Sequence, residues 1–284
     1  MYKKQIKINQ KFRSSKLQNF LKKVFPKFKG YWLILKNLFK IIPSRLTAII
    51  NFQDSEIYIP LNLKDPYQID IFFRDKCELM EPFIISNLLP QNGIFFDVGA
   101  NCGWYTRIIS KLKKEVTIFA FEPNKKAFIF LQEFCSENII TLPLAVGKDN
   151  KSKVSPINPF FRQPSGTYFQ KSKNGVNLIS IDTFSKKHKL MPDFIKIDVE
   201  GLELDVIKGS IETLNFCKYL LVEVNNSESV QGCKYEPNVI YEILKDEGFI
   251  FKYLVSNGTN TFLEIKNKEI GSILFSKENL QGII

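Results

Sequence analysis

Residues Gly93-Ile94-Phe95-Phe96-Asp97-Val98-Gly99-Ala100-Asn101-Cys102-Gly103-Trp104-Tyr105-Thr106 join an apolar run, a glycine turn and the start of a second periodic segment. The run is short, continuous and rich in aromatic and β-branched residues, the pattern of a strand buried on both faces. Gly99 and Gly103 then let the backbone turn tightly and approach a ligand with no side chain in the way. A strand passing through such a turn into a helix marks the carboxyl edge at which open α/β sheets bind their ligands.

The alternation extends outward from this stretch. Upstream, Glu56–Leu61 reads as a short strand and Cys77–Leu89 as a helix stopped at Pro90. Downstream come a helix at Tyr105–Lys113, a strand at Val116–Phe121, a helix at Lys125–Glu137 and a strand at Ile139–Val146. A polar stretch, Gly147–Gly175, interrupts the pattern and holds Phe160, Phe161, Arg162 and Ser165-Gly166-Thr167-Tyr168; it reads either as an acceptor lid or as a solvent loop. Strand Phe194–Val199, helix Leu202–Gly209, strand Tyr219–Val224, helix Pro237–Glu247 and a terminal pair, Phe249–Val255 with Thr261–Ile265, complete the order. Repeated strand–helix units predict an α/β fold with a mostly parallel sheet, closed by an antiparallel hairpin at its edge.

Composition narrows the class. The 284 residues are 44% hydrophobic and 24% charged, which excludes fibrous and wholly disordered chains. The net charge of +11 is uneven: residues 1–50 carry thirteen Lys and Arg and no acid, leaving 27 basic and 29 acidic residues beyond them. A nearly neutral body offers no continuing basic groove, so nucleic acid is not the expected partner. The division expected is a basic arm of residues 1–50 and a domain of residues 51–284. Within the arm, Leu17–Phe25 and Tyr31–Phe39 read as amphipathic helices broken near Pro26 to Gly30. Lys36 and Lys40 cut its apolar run short of the roughly 18 residues that a membrane span needs. The arm therefore either rests on a membrane surface or caps the fold. Cys77, Cys102, Cys135, Cys217 and Cys233 form no CxxC pair, which argues against a disulfide framework or zinc site and for a reducing, cytoplasmic setting. His188, the one histidine, sits in the basic run Lys186–Lys189 and reads as a surface residue.

Two acids sharpen the ligand. The spacing Gly99-x-x-x-Gly103 departs from the Gly-x-Gly-x-x-Gly of dinucleotide folds, and no Gly-Lys-Ser/Thr of a phosphate loop is present. A pyrophosphate wants bare amide donors, whereas a ligand ammonium wants a carboxylate, which Asp97 supplies. Glu122, followed by Pro123 at the end of the next strand, can accept hydrogen bonds from both hydroxyls of a ribose. Charge compensation at helix N-termini, at about 0.3–1 kcal/mol for each acid, is the competing explanation. Together the acids point to a nucleoside with a cationic amino-acid tail, S-adenosylmethionine, held by Asp97, Gly99, Asn101, Gly103, Glu122 and Pro123.

Phe96–Thr106, then Phe121-Glu122-Pro123, then Ile195-Lys196-Ile197-Asp198-Val199-Glu200-Gly201-Leu202-Glu203 with Val206-Ile207-Lys208-Gly209 resemble, in this order, the FkbM family of S-adenosylmethionine-dependent methyltransferases. The similarity spans about residues 56–265. It implies the Rossmann-like class I methyltransferase fold of seven strands for the domain of residues 51–284. It also implies O-methylation, often of sugars, polysaccharide building blocks or polyketide hydroxyls. The basic arm gains no role from it.

The third block supplies the chemistry. Asp198, Glu200 and Glu203 lie at and beyond the end of a strand and are expected at the same sheet edge as Asp97 and Glu122. Methyl transfer needs the acceptor hydroxyl aligned and its proton removed late, so Asp198 is the first candidate base and Glu200 the second. Lys196 and Asp198, two apart on a strand, point to one face, and an internal ion pair is the structural alternative. Glu223 and Asn225, after the next strand, are expected to line the site of a small-molecule or glycan acceptor. No metal is required, although Asp198, Glu200 and Asn225 would suit an oxygen-liganded divalent ion. A nicotinamide-dependent oxidoreductase and a non-catalytic nucleoside-binding scaffold are the other readings of the same edge.

Overall fold

The computed structural model describes residues 9–13, 15–24, 34, 37–38, 44–52, 55–63, 68, 71–72, 79–133, 136–157, 168–226, 233–255, 262–265 and 269–280. They fall into two units, one within Lys4–Glu78 and one from Leu79 onward.

In the first unit, β1 (Asn9–Arg13), β2 (Arg45–Phe52) and β3 (Ser55–Asn62) form an antiparallel sheet in that order. Along β2 and β3 burial alternates with period two: Leu46, Ala48, Ile50, Ile57, Ile59 and Leu61 turn inward, while Arg45, Glu56 and Tyr58 face solvent. Pro60 is tolerated because β3 is an edge strand. Helix α1 (Lys16–Val24) is tied to the sheet by Gln18, whose Nε2 donates to the carbonyl of Arg45 at 3.2 Å. The first expected amphipathic helix is therefore present. The second lies mostly outside the described residues, of which Ile34, Asn37 and Leu38 are helical. An arm of helices ending at residue 50 needs correction, because that boundary falls inside β2, all eight of whose residues pair with β3. The strand expected at Glu56–Leu61 belongs to this small sheet.

The second unit continues through α2 (Met80–Leu88), β4 (Ile94–Val98), α3 (Trp104–Leu112), β5 (Thr117–Phe121), α4 (Lys125–Gln132), β6 (Ile139–Leu142) and β7 (Ala145–Val146). Next are β8 (Lys153–Ile157), β9 (Tyr168–Lys171), β10 (Val176–Ile179), α5 (Ile181–His188), β11 (Phe194–Ile197), α6 (Glu203–Lys208) and α7 (Ile211–Leu214). It ends with β12 (Tyr219–Val224), α8 (Pro237–Asp246), β13 (Phe251–Val255), β14 (Phe262–Glu264) and β15 (Gly271–Ser276). The main sheet runs β14-β13-β15-β12-β11-β4-β5-β6. From β6 to β12 neighbouring strands are parallel, and β15 enters antiparallel between β12 and β13. The expected α/β sheet is thus present, with the three-residue β14 as an eighth strand. Chain order runs outward from β4 in one direction and from β11 in the other, so the topological switch point lies between these two strands.

Apolar burial holds the sheet to its helices. Every residue of β11 is buried, as a parallel strand covered on both faces requires. Phe96, Phe119, Phe121 and Phe184 form an edge-to-face cluster with ring centroids 5.0–5.8 Å apart. Phe184 comes from α5, a helix the sequence reading did not anticipate; Ser180 caps it by accepting the amide of Thr183. His188 closes α5 on the surface, its ring 4.6 Å from that of Phe184.

Three further expectations change. The strand predicted over Ile139–Val146 breaks around Pro143 into β6, which stays in the main sheet, and β7, which pairs with β10. Gly147–Gly175 is not a plain loop: β8 and β9 join β7 and β10 in a second, four-stranded sheet. Its residues Phe160, Phe161, Arg162 and Ser165-Gly166-Thr167, on which the choice between an acceptor lid and a solvent loop turns, lie outside the described residues. Strand β15 was not anticipated, and it separates β12 from the predicted terminal pair. Among the described residues no helix is long and apolar enough to cross a membrane.

Candidate functional site

Asp97, Glu122 and Asp198 come together at the carboxyl ends of β4, β5 and β11, around the switch point. Register places Asp97 beside Ala120 on one side and Lys196 on the other. Gly99 (φ +83°), Asn101 (φ +49°) and Gly103 (φ +82°) carry the chain from β4 into α3 through left-handed conformations. Gly99 has no alternative residue sterically: a β-carbon there would collide with the carbonyl of Asp198. At Gly103 it would come to 2.6 Å from Leu131 Cδ1. The amides of Gly99 and Ala100 both donate to the carbonyl of Phe121 at 3.0 Å, which fixes the turn on the end of β5.

Glu122, 6% exposed, joins the two loops. Its Oε2 accepts the amide of Asn101 at 2.8 Å and its Oε1 the amide of Asn124 at 2.7 Å. Each oxygen keeps a second lone pair, the number needed for a pair of ribose hydroxyls. Burial pushes this carboxyl up to about 7, against the pull of the two amides. Pro123 lies between Glu122 and Asn124, and Asn124 caps α4 by accepting the amide of Lys126.

Asp97 is fully buried. Thr106 Oγ1 donates to its Oδ2 at 2.5 Å, while Oδ1 receives no hydrogen bond and lies 3.7 Å from Lys196 Nζ. Burial raises its carboxyl above the usual range, outweighing Lys196 and Thr106. The ammonium of Lys196 sits between two carboxylates, 3.1 Å from Asp198 Oδ2, and 4.5 Å from the ring centroid of Tyr105. Burial works against its charge, but Asp198 and Asp97 hold it above the ordinary lysine range. Burial likewise raises the Asp198 carboxyl, yet the Lys196 charge, a hydrogen bond shared with Glu223 and one from Lys196 leave it below its usual value. Lys196 and Asp198 share one face as expected, the ion pair given as the structural alternative is present, and Lys196 also supplies the cation that Asp97 was expected to find in a ligand.

Glu223 approaches Asp198 from β12, and Asn225 is buried beyond it, its Nδ2 donating to the carbonyl of Glu223 at 3.3 Å. Glu200 adopts a left-handed conformation (φ +53°) two residues past Asp198. Glu203 departs from expectation. It is fully buried and turned into its own loop, where its carboxylate accepts the amides of Val199 and Gly201 and the hydroxyl of Tyr235. Sequence reasoning did not weigh Thr106 or Tyr235. Thr106 was within the quoted motif, but nothing local links Tyr235 to a residue 32 positions earlier. Among the described residues no group of three His, Cys, Asp or Glu side chains forms a metal site.

The residues fit an S-adenosylmethionine-type ligand on two structural counts. Gly99 and Gly103 keep the turn bare of side chains, and the buried Oδ1 of Asp97 has unused acceptor capacity.

Sequence comparison gives the same direction. The model of the methyltransferase FkbM domain matches residues 97–251, more than half of the chain. Hexuronic acid methyltransferase AglP of Haloferax volcanii is 29% identical over 170 residues, covering 56% of this chain and 70% of that protein. Methyltransferase 1 of Beauveria bassiana is 25% identical over 187 residues, covering 62% and 72%. Precorrin-6y C5,15-methyltransferase from Geobacter metallireducens GS-15 superimposes with a TM-score of 0.40 at 15% identity, over 71% of this chain and 88% of that one. The fold assignment itself rests on the strand order.

Proposed function

Since the chain belongs to the methyltransferase FkbM domain family and is an S-adenosylmethionine-dependent methyltransferase, we propose that it methylates a hydroxyl of a sugar or glycan, with Asp198 as the proton acceptor. The observation that carries this reading is the meeting of Asp97, Glu122 and Asp198 at one sheet edge, with Glu223 of β12 beside Asp198. The likeness to a hexuronic acid methyltransferase supports a sugar acceptor.

Asp97, Gly99, Asn101, Gly103, Glu122 and Pro123 would hold the cofactor, which when bound supplies an electrophilic methyl on a sulfonium. Asp198 stays ionised at neutral pH because Lys196 pairs with it, so it can accept a hydrogen bond from the acceptor hydroxyl and then its proton. With 30% of its side chain exposed, Asp198 remains open to an acceptor. Glu223 and Asn225 flank it on the acceptor side, with Glu200 as a second carboxylate on the loop after Asp198. Methyl transfer from labelled S-adenosylmethionine to neutral hexosides and to hexuronosides tests the reading. An alkali-stable methyl ether supports it, and an alkali-labile ester on the hexuronosides alone contradicts it.

The basic arm supports a second element of the proposal, peripheral contact with an anionic membrane. Helix α1 exposes Leu17 and Phe20, at 43% and 59%, next to Lys16 and Lys23. An apolar stripe flanked by lysines is the arrangement by which a helix lies in a lipid interface. The cations would add about 1 kcal/mol each near such a surface.

A further inference from the structure

The loop that follows β11 is wound around one buried carboxylate. Glu200 (φ +53°) and Gly201 (φ +105°) are both left-handed, and the coil they make turns the amides of Val199 and Gly201 inward. Both donate to Glu203: Val199 to Oε1 at 3.1 Å, Gly201 to Oε1 and Oε2 at 3.0 and 3.1 Å. Glu203 opens the short helix α6, which has no side-chain cap at its N-terminus. A carboxylate with no solvent exposure is costly to bury unless its lone pairs are filled. The last bond comes from a different part of the chain. Tyr235, 8% exposed, donates its hydroxyl to Glu203 Oε2 at 2.6 Å.

Tyr235 belongs to the segment between β12 and α8, the one that begins with Asn225. Cys233 closes the base of that segment, its Sγ lying 3.7 Å from the carbonyl of Asn225 and 3.5 Å from that of Tyr235. One side of the Glu203–Tyr235 bond therefore holds the loop that starts at Asp198, and the other holds the segment that starts at Asn225. A short hydrogen bond to a carboxyl group, made out of contact with water, is among the stronger ones a protein forms and favours one loop position over neighbouring ones.

We infer that Glu203 and Tyr235 act as a positioning pair, locking the Asp198 loop to the acceptor-side segment so that Asp198 meets the acceptor hydroxyl at a fixed distance. The inference rests on the assignment of Asp198 as proton acceptor. Neither residue touches the reactants; both act through Asp198, and their loss should leave the glycine turn and its cofactor untouched.

Tyr235→Phe removes the hydroxyl and keeps the ring. In the full chain with S-adenosylhomocysteine bound, hydrogen exchange of the peptide over residues 198–202 should speed up at least tenfold. The peptide over residues 94–103 should not change, and S-adenosylhomocysteine affinity should stay within twofold. The carboxyl carbon resonance of Asp198 should titrate closer to the ordinary carboxylate range as the loop drifts from Lys196. Unchanged exchange and titration would overturn the proposal. Uniform loss of protection across the chain would also overturn it, because Tyr235 would then serve the fold alone. Glu203→Gln, which keeps the shape, should reproduce the loosened loop even if Tyr235→Phe folds poorly. Asp198→Asn, assayed for methyl transfer to a hexuronoside and a hexoside, separates the two claims. If it keeps turnover while Tyr235→Phe frees the loop, the base assignment fails and the clamp on the loop stands.

Discussion

Gly99 stands so close to the main-chain carbonyl of Asp198 that a β-carbon on the glycine would collide with that oxygen. The contact joins the first motif to the third across the switch point between β4 and β11. It explains why position 99 must be glycine: the turn that would hold the cofactor packs directly on the main chain of the acid that would take the proton.

Gly99→Ala should therefore be doubly harmful. Left-handed strain alone costs on the order of 1–3 kcal/mol, and the collision with Asp198 adds to it. We expect a lower unfolding midpoint and at least tenfold weaker S-adenosylhomocysteine binding. Wild-type values for both, by thermal unfolding and calorimetry, would show that the close approach is not needed.

Glu122 gives a pH signature. Its carboxyl stands at about 7 in the folded chain against an ordinary 4.5, so the native state keeps a proton that the unfolded state loses between these values. The stability it contributes is fully present below about 4.5 and disappears as the pH rises through about 7, a change of up to about 3 kcal/mol. Denaturant unfolding between pH 4.5 and 8 should show this decline in the wild-type chain, and Glu122→Gln should flatten it. An equal slope in both would remove Glu122 as its source.

Asp198→Asn keeps the size of the side chain and removes its basicity. Turnover should fall by about 10²–10⁴-fold, the usual contribution of a positioned base. Because Lys196 and Glu223 hold the Asp198 carboxyl below its ordinary value, wild-type activity should not fade from its protonation until well into the acid range. A variant with near-normal turnover on a sugar acceptor would reassign the role, with Glu200 the next residue to replace.

Membrane contact is better tested by substitution than by truncation, since cutting near Asn51 would divide β2. Leu17→Ser with Phe20→Ser should weaken co-sedimentation with anionic vesicles, and replacing Lys16 and Lys23 with Gln should do so in a salt-sensitive manner. At about 1 kcal/mol per cation, each lysine lost should lower the partition coefficient roughly fivefold. Equal sedimentation of all variants would leave α1 as a cover for its sheet.

Much of the fold was legible because short, mostly apolar runs mark buried strands, as Ile94–Val98 between Gly93 and Gly99 and Tyr219–Val224 do. What escaped depends on pairing rather than pattern. β15 becomes visible only through its place between β12 and β13, and the split of β6 from β7 at Pro143 reflects which sheet each half joins. β2 was hidden because Ile49 sits between Ala48 and Ile50 and masks the alternation. In the site, Asp97, Glu122 and Asp198 could be read from their positions at strand ends. Glu203 could not, because a carboxylate just past a strand looks alike from sequence whether it faces the site or, as here, fills its own loop. The cation shared by Asp97 and Asp198 was readable as a neighbour, Lys196, but its contact with both acids required the sheet register.

The division of labour between cofactor residues and Asp198 is tested most directly by titrating S-adenosylhomocysteine into the full chain and into Asp97→Asn, Glu122→Ala and Asp198→Asn variants by calorimetry. The site described here predicts one bound molecule per chain, at least tenfold weaker binding in Asp97→Asn and Glu122→Ala, and affinity within twofold of wild type in Asp198→Asn. Unchanged binding in the first two, or a loss in Asp198→Asn as large as theirs, would contradict it.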